Sequence, residues 1–100
     1  MQNVKIINRS NLIEMLSTKY TDLPYHIITM TTKHIFEIIT NALSENKKIE
    51  LRNFGNFSLR FHPARLVRNP KTGQTIKMCS KYTVHFKPGK KLNAKVNKQA

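Results

Sequence analysis

Beyond Glu50 the chain has no acidic residue. All five carboxylates (Glu14, Asp22, Glu37, Glu45, Glu50) fall in residues 1–50, where six Lys/Arg leave a net charge of +1, while residues 51–100 carry the other twelve Lys/Arg unopposed. The scattered acids offer no close carboxylate pair for metal-assisted hydrolysis. Cys79 is the only cysteine, so no intramolecular disulfide forms. With His26, His34, His62 and His85 it makes no zinc spacing, and His26 and His34 stand eight apart, too far for i,i+4 ligation. Three glycines and no tryptophan accompany the absence of a glycine-rich phosphate loop, a nucleophile elbow or an HExxH run. These gaps predict a non-enzyme without cofactor or metal. No apolar run reaches the ~18 residues of a membrane span, and "MQNVKIINRSNLIEML" lacks the apolar core of a signal peptide. The expectation is a cytosolic chain, in which the two N-x-S matches, at Asn8 and Asn56, are accidental.

What is present is unrelieved positive charge. A protein seeking only solubility intersperses signs, whereas a half-chain of one sign attracts a polyanion and releases its condensed counterions. Nucleic acid is the leading partner and an anionic membrane surface the second. One hundred residues at 39% hydrophobic content make one small domain, 1–100, with a modest core. Association with another chain is expected to complete it.

Residues 1–7 form an extension without a pattern. "NRSNLIEMLSTKY" reads as a short helix capped by Asn8 or Ser10, with Leu12, Ile13 and Leu16 in one stripe. Asp22 and Pro24 open a second helix, which runs to about Ser44 with Ile27, Ile28, Ile35, Ile38, Ile39 and Leu43 on one side and Thr31 and Thr32 interrupting. Asn46 ends it in a left-handed conformation, and the two helices pair antiparallel. The period then becomes two. Ile49 and Leu51 precede a turn at Gly55; Phe57, Leu59 and Phe61 alternate with Ser58, Arg60 and His62; Ile76, Met78, Tyr82, Val84 and Phe86 alternate with polar residues. An antiparallel sheet results, its polar face expected to carry Arg60, Lys77 and Lys81 with no acid. A short basic helix closes the chain.

The segment between the strands is an excursion, 62–75, too long for a simple reversal. Pro63 interrupts strand pairing. Arg65 and Arg68 flank Leu66 and Val67, and Asn69-Pro70-Lys71-Thr72-Gly73 spells a turn with Gly73 at positive φ. A two-stranded ribbon tipped by proline suits a DNA groove: arginines favour the narrow minor groove, and an apolar ring wedges between base pairs. RNA binding is the competing reading, but the polar face of the sheet offers none of the stacked aromatics that read single strands.

Phe54-Gly55-x-Phe57, Arg68-Asn69-Pro70-x-Thr72-Gly73 and Phe86-Lys87-Pro88-Gly89-Lys90 together resemble the HU and integration host factor family of bacterial DNA-bending proteins, over nearly all of 8–97, and "IELRNFGNFSL" and "KYTVHFKPGK" look closer to the β subunit of integration host factor than to HU. The resemblance implies an α+β fold, an intertwined dimer with a helical base, an antiparallel β-sheet saddle and long β-ribbon arms. It implies a nucleoid protein that bends duplex DNA through the minor groove, in a homodimer or, slightly favoured, a heterodimer with a related subunit. Site preference like that of integration host factor and indifference like that of HU both stay open. By position, Pro70 is the intercalating wedge, Arg65, Arg68, Asn69 and Lys71 line the groove, and Lys87, Lys90, Lys91 and Arg52 approach DNA from the body. Arg60, Lys77 and Lys81 join them from the sheet. Asn46, Asn53 and Val67 stand where the family commonly has glycine; asparagine tolerates positive φ, but a β-branched valine would be strained there.

Overall fold

The computed structural model describes residues 4–98 and shows an α+β chain. Its elements are α1 (Arg9–Lys19), α2 (Tyr25–Ser44), β1 (Ile49–Leu51), β2 (Gly55–His62), β3 (Arg65–Arg68), β4 (Thr75–Met78), β5 (Lys81–Pro88) and α3 (Lys90–Asn97). The chain divides into two compact units, one ending at Thr40 and one beginning at Asn41. No described helix is long and apolar enough to cross a membrane.

In the first unit, Asn8 caps α1 reciprocally with Asn11. Asn8 Oδ1 accepts from the Asn11 N–H at 2.9 Å, and the Asn8 N–H donates to Asn11 Oδ1 at 3.1 Å. Two orphan donors of the first turn are thereby satisfied. At the start of α2, Pro24 rather than Asp22 holds the cap position, its carbonyl accepting from the N–H groups of Ile27 and Ile28. Thr32, expected to interrupt the apolar stripe, is buried within it, because its hydroxyl bonds back to the Ile28 carbonyl at 2.8 Å. Ile13 and Ile28 are buried as well, yet Leu12, Leu16 and Ile35 stay exposed. Between the helices runs an apolar groove of about 410 Å³ lined by Leu12, Met15, Leu16, Thr32, Ile35 and Phe36. A lone chain therefore leaves much of its helical apolar surface in water, more than scattered surface residues account for.

The second unit opens with the last turn of α2. Asn46 adopts φ 60°, while the Asn46 and Lys47 N–H groups bond the carbonyls of Leu43 and Ala42. That pattern of two nested bonds around a left-handed residue satisfies two of the helix's last carbonyls, as expected of Asn46.

The sheet comes next in the order β1-β2-β5, all antiparallel, with β3 and β4 forming a separate two-stranded ribbon. Pairing runs Ile49↔Phe57 to Leu51↔Gly55 on one side of β2 and Gly55↔Pro88 to His62↔Lys81 on the other. Two expectations are corrected by this arrangement. The turn between β1 and β2 is made not by Gly55 but by Asn53, at φ 68°. Gly55 instead begins β2, where a Cβ would stand 2.6 Å from the Lys87 carbonyl oxygen and the Phe86 ring. Nor is the run from Ile76 to Phe86 one strand: Cys79 and Ser80 belong to no strand and separate β4 from β5.

On one face of the sheet the aromatic rings of Phe54, Phe57 and Phe86 cluster, the closest pair 4.7 Å between centroids. Phe61 and Tyr82, paired across β2 and β5, stand at 5.1 Å. Such tilted contacts contribute beyond their area alone.

These positions separate two roles for glycine. Gly55→Ala must move strand backbone, and should cost about 1–3 kcal/mol, seen as a lower Tm at fixed protein concentration. Gly73→Ala meets no atom within 4 Å but is strained at φ 74°, so the expected result is a loosened arm with the Tm of the body nearly unchanged.

Candidate nucleic-acid interface

Alternation along β2 and β5, with the register above, sorts the strand side chains onto two faces. Glu50, Asn56, Ser58, Arg60 and His62 share a face with Lys81, Thr83, His85 and Lys87, and the rings described above occupy the other. Two cations distant in sequence thus become neighbours: Arg60 lies opposite Thr83, one diagonal step from Lys81. His62 Nε2 meets Thr83 Oγ1 at 2.8 Å, tying the strands at the far end of the face.

Lys77 is not part of this face. It belongs to β4 of the ribbon, opposite Leu66, because the break at Cys79 and Ser80 ends the alternation that suggested otherwise. Nor is the face free of acid. The pairing of Glu50 with Asn56 brings one carboxylate to its edge, where Lys48 Nζ approaches it at 3.5 Å. The pairing of β1 was needed to see this, since alternation along β2 and β5 alone omits the third strand.

Beside the β1–β2 turn, Arg52, Lys87 and Lys90 line one open cleft of about 680 Å³ with Asn53, Asn56 and Gly89, three cations against the single carboxylate of Glu50. Gly89 caps α3 without a side-chain bond, and its own N–H donates to the Phe54 carbonyl at 2.9 Å. The α3 N-terminus and three cations from separate elements so converge on one concavity, a natural seat for negative charge. Lys91 lies exposed in the first turn of α3, outside that cleft. Asn56 was not singled out from sequence; reading the β2 alternation one step earlier would have put it on the polar face with Ser58 and Arg60, and the register then sets it opposite Lys87.

The ribbon pairs Arg65↔Met78, Leu66↔Lys77, Val67↔Ile76 and Arg68↔Thr75. Its two arginines therefore point to opposite faces: Arg68 with Leu66 and Lys77, Arg65 with Val67, Ile76 and Met78. Every residue of both strands is exposed. Val67 takes ordinary extended backbone, since positive φ among the described non-glycine residues is confined to Asn46 and Asn53, and the anticipated strain is absent. At the tip Gly73 has φ 74° as expected, and the chain closes through Asn69 N–H to Gln74 carbonyl at 2.8 Å and Gly73 N–H to Asn69 carbonyl at 2.7 Å. Pro70 and Lys71 project from that closed turn, both exposed.

Comparison with known proteins agrees with this geometry. The family model described as bacterial DNA-binding protein matches residues 7–97. The chain is 45% identical to the integration host factor subunit beta of Thioalkalivibrio sulfidiphilus, over 91% of this chain and 95% of that one. It is 42% identical to the same subunit of Colwellia psychrerythraea, over 91% and 96%. Among solved structures, Anabaena HU in a cocrystal with DNA superposes with a TM-score of 0.77 at 28% identity, covering 90% of this chain and 97% of that one. A Thermotoga maritima HU variant superposes at 0.65 with 27% identity, covering 90% and 99%. With its sequence and fold thus matched nearly end to end, the chain belongs to the bacterial DNA-binding protein family of HU and integration host factor, architectural DNA-binding proteins rather than enzymes.

Proposed function

We propose that this chain bends duplex DNA by inserting Pro70 between base pairs of the minor groove while its body collects the flanking phosphates. The observation that carries the reading is the exposed ribbon, which ends in a hydrogen-bonded turn presenting a proline. An exposed, rigid apolar ring has nothing to bury against within the ribbon. Unstacking a base step costs on the order of a few kcal/mol, offset by the added contacts of bent DNA. Arg68 and Lys77 on one ribbon face, Arg65 on the other and Lys71 at the tip supply charge along the groove. In the body, Arg52, Lys87 and Lys90 in the cleft, Lys91 beside them, and Arg60 and Lys81 on the sheet take the phosphates that bending brings in. Bending of this kind serves nucleoid organisation, recombination, replication and transcription, and puts the protein on the cytoplasmic nucleoid.

The chain acts as a dimer whose second member covers the apolar groove of α1 and α2. The 45% identity to an integration host factor beta subunit favours a related second subunit over a second copy. Duplex rather than single-stranded RNA or DNA is the ligand, because the phosphate-facing side of the sheet has no aromatic platform. Binding with site preference is favoured by the same relatives, with preference arising mainly from deformability of the sequence being bent.

Four outcomes test this. Energy transfer between dyes at the ends of a duplex of about 35 base pairs, a little over three turns of ~10.5 each, should rise on binding. Pro70→Ala should bind with the ends farther apart and roughly tenfold more weakly; an unchanged bend would remove the wedge. Lys87→Ala should weaken binding similarly for all sequences and lower the slope of log affinity against log salt by about 0.9; an unchanged slope would take Lys87 off the phosphates. Finally, light scattering on the purified chain should give an ill-defined or aggregating species that becomes a discrete dimer when a related subunit is added. A stable mass of twice 11.6 kDa for the chain alone would establish self-pairing instead.

A further inference from the structure

Asn69 differs from every residue around it at the ribbon tip. Arg68, Pro70 and Lys71 are exposed, whereas Asn69 is half-buried. Three of its polar groups are already committed to the loop. Its N–H donates to the Gln74 carbonyl at 2.8 Å, its carbonyl accepts from the Gly73 N–H at 2.7 Å, and its Oδ1 accepts from the Lys71 N–H at 2.9 Å. The last bond fixes the amide orientation, since only the oxygen can face a backbone donor. Thr72 Oγ1 accepts from the Gln74 N–H at 3.3 Å, a second and longer tether.

Asn69 and Lys71 flank Pro70 directly, so the side-chain bond spans the proline. A side-chain oxygen bonding the backbone N–H two residues on mimics a tight turn and holds the intervening residue in one conformation. Pro70 already has φ set by its ring, and the Asn69 bond constrains the peptide unit that joins it to Lys71. A wedge held in one orientation enters a base step without first being ordered, and that lowers the entropic cost of insertion.

We infer that Asn69 is a positioning residue for the Pro70 wedge, acting through its Oδ1 on the Lys71 N–H, rather than a reader of the groove as its place in the family motif suggested. The inference rests on the wedge reading above. Two side chains separate the roles. Serine keeps a short acceptor that forms the same type of turn but carries no amide. Glutamine keeps the amide that could touch a base edge, but its longer stem does not close the two-residue bond.

The test compares wild type with Asn69→Ala, Asn69→Ser, Asn69→Gln and Pro70→Ala in the dye-labelled duplex assay. It reads the bend at saturating protein and the dissociation rate separately, with circular dichroism melts of each variant to verify an intact body. Asn69→Ala and Asn69→Gln should bend DNA to a degree between wild type and Pro70→Ala and dissociate about 3–10-fold faster, the equivalent of one turn hydrogen bond. Asn69→Ser should recover most of the wild-type bend. Recovery by glutamine and not serine would make Asn69 a groove contact and overturn the inference. So would a full wild-type bend in Asn69→Ala, or equal loss in all three. If Pro70→Ala itself bends like wild type, the wedge reading fails; if only Asn69→Ala does, the wedge stands and the positioning role alone is lost.

Discussion

The antiparallel pairing of β2 with β5 is the constraint on which the interface depends. Its register, from Gly55↔Pro88 to His62↔Lys81, sends Arg60, Lys81 and Lys87 to one side and Phe57, Phe61, Tyr82 and Phe86 to the other. A slip of one residue would exchange the two sets. The register is held at one end by the absence of a Cβ on Gly55, where the Lys87 carbonyl and Phe86 ring approach too closely for a side chain. At the other end His62 and Thr83 are joined by a hydrogen bond. Ring contacts across the pairing, Phe57 with Phe86 and Phe61 with Tyr82, favour this one alignment.

From that pairing the rest of the DNA-facing surface is built. Gly89, just past the end of β5, bonds the Phe54 carbonyl, so α3 starts beside the β1–β2 turn and its Lys90 joins Arg52 and Lys87. In the opposite direction the strands lose their pairing at Pro63 and at Cys79–Ser80 and resume it as the separate β3–β4 ribbon. Proline cannot donate to a ladder, so the break next to His62 has a covalent cause. The ribbon beyond it is left with little to pack against, and all of its strand residues are exposed. An isolated two-stranded hairpin is marginal in water. Its closed tip, with Asn69 bonded on three sides, is therefore the part of the arm whose conformation is determined by its own residues.

Much of this was legible in the residues alone, for local reasons. Helix ends announced themselves through Asn8 and Asn46, whose side chain or left-handed backbone satisfies orphan groups within a few residues. The tip turn was equally local, because the Pro70 ring fixes φ while Gly73 is free to take the positive φ that the turn requires. What misled was alternation read alone: it carried Ile76 to Phe86 through a break that it does not register. It also assigned Lys77 to a sheet in which that residue has no partner and overlooked Glu50 arriving from a third strand. Gly55 was recognised as necessary but for a turn, since close approach of Phe86 and Lys87, some thirty positions away, leaves no mark beside it. Thr32 looked like an interruption until its hydroxyl was seen bonded to Ile28.

By itself the sequence determined the chemical character of the protein: a positive half-chain without acid, two helices carrying apolar residues in a chain of modest core, and a proline-tipped turn. Each of these depends on residue type and short spacing, which covalent structure specifies. Only the tertiary structure decided which charges act together. The convergence of Arg52, Lys87 and Lys90, the opposite facing of Arg65 and Arg68, and the removal of Lys77 from the sheet depend on strand register and on where pairing stops. Those are set by contacts between residues distant in the chain, Gly55 with Phe86 and His62 with Thr83 among them, whose fit no local pattern encodes.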